Sequence, residues 1–289
     1  MIDFGMARDF VLRNARLLDR FRFALLFEHG PAEPAVTALL AYRNADGGFG
    51  NGLEPDIRCA ASQPVPVEQA LHTLAGIGSF DDEIATGCCA WLETVTTAEG
   101  GVPFAVEGIA GAPHAPWWQA SATASLNPTA GIVGLLRAHS IQHRWVERAD
   151  AYCWTTLAAR PAGIGPDDAV CILRLLESVD EADARADRAA EVFSWLGPRI
   201  RESLTALDPN TAGYVKAPLA FAPAPHSIAR RLYSPEEIEL HLDALEARQQ
   251  SDGGWPITWD PPGPVAVCEW RAIVTIESLT VLRNYGRSW

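Results

Sequence analysis

The chain holds 289 residues, 48% hydrophobic and 20% charged, the composition of a folded protein and not of a disordered one. Its 36 acidic residues outnumber 23 basic ones, and the formal net charge of −13 opposes binding to a phosphate backbone, so no nucleic-acid partner is expected. No run of about 18 apolar residues predicts a transmembrane span, no leader pattern opens the sequence, and six cysteines without Cys-x-x-Cys spacing read as reduced thiols of a cytoplasmic protein.

Phe10, Asn14, Leu17, Phe21 and Leu25 follow a 3–4 spacing and predict an N-terminal helix. A Gly-Gly turn comes next, Asn44-Ala45-Asp46-Gly47-Gly48-Phe49, then the loop Gly50 to Arg58 and a helix beginning near Gln63. Asp81-Asp82-Glu83 opens a further helix, which runs to a weaker turn, Thr97-Ala98-Glu99-Gly100-Gly101-Val102. A Pro-rich connection from Pro103 to Pro116 leads through Trp117 and Trp118 to Asn127-Pro128, the start of an apolar helix through Ile132 and Leu136. Pro166-Asp167-Asp168 starts a second apolar helix, and an amphipathic one follows with Val192 and Leu196 on its apolar side. A second long connection spans Pro209 to Pro225. Ile238, Leu242 and Leu245 mark the helix before the clearest turn, Gln250-Ser251-Asp252-Gly253-Gly254-Trp255, and the last apolar helix follows Cys268-Glu269-Trp270-Arg271.

The turns form a repeat. Gly47, Gly100 and Gly253 are 53 and 153 residues apart, a period of about 50 with two degenerate copies expected at Ala162-Gly163-Ile164 and Ala212-Gly213-Tyr214. Glycine after a helix accepts the left-handed conformation that ends it. Helices apolar all round alternate with amphipathic ones, which predicts an inner set wrapped by an outer set. The expected fold is all-α, a single (α/α)5–6 toroid of inner and outer helices over residues 1–289.

Gln250 to Trp255 resembles the QW motif of terpenoid cyclases and protein prenyltransferase β subunits, and Asn44 to Phe49 is a conservative version of it. The resemblance implies an α/α toroid whose apolar centre takes a small hydrophobic, isoprenoid substrate. Gly165-Pro166-Asp167-Asp168 is similar to the Asp-x-Asp-Asp region of class II cyclases, with Gly165 in place of the first acid. By that likeness Asp167 is the proton donor and Asp168 its partner. Two neighbouring carboxyls in an apolar cavity cannot both ionise easily, so one stays protonated. The same pair also fits a plain helix start, where acids in the first turn meet free N–H groups. The prenyltransferase zinc site is not matched, because Ala266-Val267-Cys268 lacks its Asp, and no metal site is expected. No cofactor is expected either, with Mg2+ entering only alongside a diphosphate substrate.

Further candidates lie in the connections. His114 is a candidate catalytic base, and Trp117 and Trp118 a lid or wall. Glu54, Asp56 and Arg58, with Asn127, are placed at one rim. Glu269, Trp270 and Arg271 either line the cavity or pair with neighbouring repeats. Arg230 and Arg231, with Arg58 and the only lysine, Lys216, are the cations available to a diphosphate. Three functions stay open: protonation-initiated isoprenoid cyclisation of isomerase or lyase type, carbohydrate chemistry on paired carboxylates, and non-catalytic binding of a lipid or a protein. A homodimer is one way to enclose a substrate in a single toroid.

Overall fold

The computed structural model describes residues 2–289 and is all-helical. The helices are α1 (Phe4–Asn14), α2 (Leu17–Glu28), α3 (Glu33–Leu40), α4 (Pro64–Gly76), α5 (Asp82–Val95), α6 (Leu126–Ala138), α7 (Arg144–Ala158), α8 (Pro166–Glu177), α9 (Ala186–Arg199), α10 (Pro218–Phe221), α11 (Pro235–Ala247) and α12 (Pro264–Asn284). Isolated bridges such as Arg43 to Phe49 are the only β pairing among the described residues. No helix among them is long and apolar enough to cross a membrane.

The helix starts are written in local chemistry. Proline stands at the start of α4, α8, α10, α11 and α12, where its missing N–H costs nothing. Asp3 caps α1 by accepting the Met6 N–H at 2.9 Å, and Asp81 caps α5 by accepting that of Ile84 at 2.8 Å. The expected single N-terminal helix is in fact two. Ala15 and Arg16 are extended between α1 and α2. Arg16 turns to the fully buried Asp19 at 2.7 Å, which also accepts from Arg22 at 3.0 Å. Of the spaced residues only Phe10 is buried and Leu17 is 59% exposed; α2 buries Leu18, Asp19 and Phe23 instead, so the 3–4 spacing does not carry one face across the break.

The chain divides into two compact units: a middle unit, Leu40–Ile200, and a terminal unit made of residues up to Leu39 together with Arg201–Trp289. In the middle unit α6 lies between α4 and α8, with α5 and α7 paired and α9 against α8. Pro128 to Leu136 on α6 are buried without a break, so this helix has no solvent face. In the terminal unit α12 packs against α1, α2 and α11, and α10 against α11.

The three Gly-Gly turns share one geometry. The first residue of each turn donates to the second glycine's carbonyl at 2.9 Å: Asn44 to Gly48, Thr97 to Gly101, Gln250 to Gly254. Gly47, Gly100 and Gly253 have φ of +90°, +102° and +93°, in the range that favours glycine. Each lies on the backbone of an amphipathic helix, at Gly87 of α5, Arg148 of α7 and Met6 of α1. The second glycine faces the ring four residues further along that helix: Trp91 for Gly48, Tyr152 for Gly101, Phe10 for Gly254. A Cβ on Gly47 would sit 2.6 Å from the Gly87 carbonyl oxygen. Close approach of turn to helix is thus what the repeat encodes.

The degenerate copies are held differently. Gly163 has nothing near its Cβ position. Arg199 of α9 instead donates to the carbonyls of Pro161, Ala162 and Ile164. Gly213 keeps a φ of +90° but stands in open space. Beside it His241 bonds the Leu207 carbonyl at 3.0 Å and Arg248 that of Pro209. In both copies side chains from the second helix along, α9 and the end of α11, replace the glycine contact.

Candidate active site

The polar centre of the middle unit gathers on α4, α6 and α8. Asp167, Cys171 and Arg174 stand at i, i+4 and i+7 on α8, one face of the helix. Asn127 and Gly131 face them from α6, and Glu68 comes from α4. Glu68 and Arg174 form an ion pair across Gly131, with side-chain exposures of 14% and 24%. A Cβ at Gly131 would strike the Glu68 carboxylate, so the glycine is what lets the pair close over α6. Gly134, one turn on, approaches the Arg174 backbone so closely that a Cβ would lie 2.7 Å from its carbonyl carbon and oxygen.

The Cys171 thiol is 3.6 Å from Glu68 Oε1, to which it donates, and 3.7 Å from Asn127 Oδ1. Burial pushes the Glu68 carboxyl above the usual range, and the nearby charge of Asp167 adds to the rise, against Arg174 and the Cys171 thiol. Asp168 is raised by burial too, against bonds from the Gly165 N–H at 2.9 Å and the Asn127 N–H at 3.2 Å, with Asp167 again pushing it up. Asp167 therefore stands electrically beside both other acids. Burial also raises the Cys171 thiol well above its ordinary value, so this sulfur is a neutral donor and not a nucleophile.

These contacts divide the adjacent acids. Asp168 ties the first turn of α8 to the start of α6, a structural duty for a carboxylate that accepts two backbone N–H groups. Asp167 takes the face shared with Cys171 and Arg174. Asn127 joins the same group through its backbone and its side chain. Glu68, Cys171 and Arg174 were not picked out from the sequence. The available signal was Glu68 as the one acid on α4 and Arg174 as the one cation within the apolar part of α8, since buried charges need partners.

The other rim residues build an adjoining loop assembly in the same unit. Glu54 and Asp56 are buried, at 5% and 4% exposure. Gln69, next to Glu68 on α4, donates to Glu54 Oε2 at 2.6 Å. Ile57 bridges His114, the Arg58 N–H bonds the Pro113 carbonyl at 2.9 Å, and the Ala115 N–H bonds the Asp56 carbonyl at 2.9 Å. Gln63 clasps the long connection by accepting from the Val106 N–H at 2.9 Å and donating to the Glu107 carbonyl at 3.3 Å. The His114 ring meets the Ala112 carbonyl at 2.7 Å. Trp118 is buried in a cluster with Ile57, Ile109 and Ala115 and stacks on Phe104 at 4.7 Å, whereas Trp117 is 47% exposed.

The remaining candidates belong to the terminal unit. Arg271 pairs with Asp252 at 2.8 Å, donates to Gln250 at 2.6 Å and covers the Phe10 ring at 4.5 Å, so it clamps the last Gly-Gly turn. Glu269 is buried beside an open cleft of about 370 Å³ lined by Arg13, Arg16 and Cys268. Trp270 meets Trp259 edge-on at 5.1 Å. Arg230 donates to the Tyr233 carbonyl at 2.7 Å, and Arg231 is exposed. No group of three or more His, Cys, Asp or Glu side chains among the described residues is placed to hold a metal ion. All six cysteines are free thiols, five of them buried.

Comparison with protein-family models gives no match, and comparison with curated proteins gives none either.

Proposed function

We propose that the chain is an acid–base enzyme acting on a hydroxylated substrate of the carbohydrate class, with Glu68 as proton donor and Asp167 as its partner carboxylate. The observation that carries this reading is the polar cluster built by Glu68, Asn127, Asp167, Cys171 and Arg174 on three adjacent helices. Desolvating such a cluster under a hydrocarbon chain leaves charged groups without water, whereas sugar hydroxyls replace the lost hydrogen bonds. Two carboxyls are the equipment of glycosidic bond cleavage. The protonated one gives its proton to the leaving oxygen as the C–O bond breaks. The ionised one activates water, or attacks the anomeric carbon to form an intermediate that water then releases. The raised Glu68 carboxyl suits the first role, and Asp167, on the α8 face of Cys171 and Arg174, is assigned the second by position.

Incubation with an oligosaccharide panel, read as reducing ends released, tests the reading. We expect turnover by the wild-type chain and a loss of about 100-fold or more in Glu68→Gln and in Asp167→Asn. Turnover that survives Glu68→Gln contradicts it.

A second reading, protonation-initiated chemistry on an isoprenoid, is supported by the three Gly-Gly turns that dock alike and by Asp167 in the first turn of an apolar helix. In it the helices close into a toroid with an apolar lumen, a second copy of the chain covers the substrate, and Mg2+ arrives with a diphosphate head group. Oligoprenyl diphosphates and neutral polyprenes, added to the same panel, separate the two. A cyclised product that depends on Asp167, with no reducing ends, selects the isoprenoid reading. A bound prenyl chain without turnover selects a binding protein. Free thiols suit the cytoplasm in every case.

A further inference from the structure

A second concentration of chemistry lies in the terminal unit and shares no residue with the Glu68 site. Trp270 and Glu277 are seven residues apart on α12, so they lie on one face about 10 Å apart. From Trp270 the contacts run to Trp259, edge-on at 5.1 Å, and from Trp259 to Tyr214 at 5.7 Å, again edge-on. Lys216 Nζ is 3.1 Å from the Tyr214 hydroxyl and 5.1 Å from its ring centre. Lys216 and Arg22 both act electrostatically on Glu277, which shares the α12 face of Trp270.

We propose that Tyr214, Lys216, Trp259, Trp270 and Glu277 form a saccharide-binding site. Aromatic surface, an acceptor and donors meet here in a place open to water. Tyr214 is 52% exposed, Glu277 is exposed, and Trp259 and Trp270 are half-buried. Glu277 is nonetheless raised by desolvation, against Arg22 and Lys216 and with Asp19 adding to the rise. The indole N–H of Trp259 is buried with no hydrogen-bond partner, a donor that a ligand hydroxyl would satisfy.

The charges narrow the ligand class. A cationic ligand is disfavoured because the Tyr214 ring already carries the Lys216 ammonium and Arg22 lies near Glu277. An anionic ligand meets the Glu277 carboxylate. A hydrocarbon offers nothing to the Lys216 and Glu277 charges. A neutral ring with hydroxyls on its rim and C–H groups on its faces matches both the indole surfaces and the polar groups.

The test uses the full chain and its Glu68→Gln variant, which separates binding from turnover. Cello-, malto-, xylo- and chito-oligosaccharides are titrated by calorimetry and by tryptophan fluorescence. We expect one series to bind both proteins and its affinity to fall at least 10-fold in Trp270→Ala and in Glu277→Gln. Tyr214→Ala, at an exposed position, guards against a loss that merely reports misfolding, and circular dichroism checks each variant. Binding that persists without turnover, and depends on these residues, upholds the site while sinking the Glu68 reading. Turnover with binding indifferent to Tyr214→Ala and Glu277→Gln does the reverse. No binding by any series to either protein overturns the site.

Discussion

Asp167 and Asp168 are neighbours in sequence with different work. Asp168 accepts backbone N–H groups from Gly165 and Asn127, so Asp168→Ala is expected to cost about 1–2 kcal/mol of stability. Asp167→Asn is expected to leave the denaturation midpoint nearly unchanged. Equal losses in urea titrations of the two variants would show that both acids are structural. A third substitution isolates the ion pair. Arg174→Met leaves the Glu68 carboxyl without its cation, and a loss of about 3 kcal/mol is expected at neutral pH. That loss shrinks on acidification as Glu68 takes a proton, and a pH-independent loss argues against the pair. The acidic pair was legible in the sequence as a helix start and as a site. Glu68 was not, because nothing local marks which charge on an apolar helix meets a partner 106 residues away.

Among elements, the Gly-Gly turns carry the clearest sequence-to-structure rule. Gly47→Ala sets a methyl group against the α5 backbone at a φ of +90°, and a cost of about 2 kcal/mol or more is expected. Gly163→Ala, at the degenerate copy, meets open space at an ordinary φ and is expected to be neutral or stabilising by up to about 1 kcal/mol. Thermal melts of the two variants decide it, and equal effects would mean that glycine contacts do not hold the turns. Helix starts were readable because proline and capping acids act within one turn of chain. The break at Ala15 was not readable, because its cause, the burial of Asp19 between Arg16 and Arg22, appears only when α2 is packed. The Arg199 clamp at the third turn was hidden for the same reason: its partners are carbonyls, which carry no residue type.

For the whole molecule, alternation of apolar and amphipathic helices announced an all-helical fold, and that is what forms. Its acids set opposing pH dependences. Burial alone would raise Asp19, but Arg16 and Arg22 overcome it and hold the carboxyl below 3.8, so its stabilisation is present above that pH and is lost as pH falls through the lowered value. Glu68, Asp168 and Glu277 are raised, so each favours the fold below its unfolded value and penalises it as pH climbs through the folded one. Glu277→Gln is therefore expected to raise Tm at pH 7 and to have little effect near pH 4. An equal shift at both pH values would place Glu277 in free solvent.

The measurement that bears most directly on the proposed chemistry is the titration of Glu68 itself. Carbon-13 NMR of glutamate-labelled protein, with the Glu68 signal assigned by its absence in Glu68→Gln, follows the carboxyl from pH 3 to 8. We expect a midpoint above the ordinary 4.5, rising further in Arg174→Met, as a proton donor in this setting requires. A midpoint at or below 4.5 contradicts the assignment of Glu68 as the acid and leaves it as one half of an ion pair.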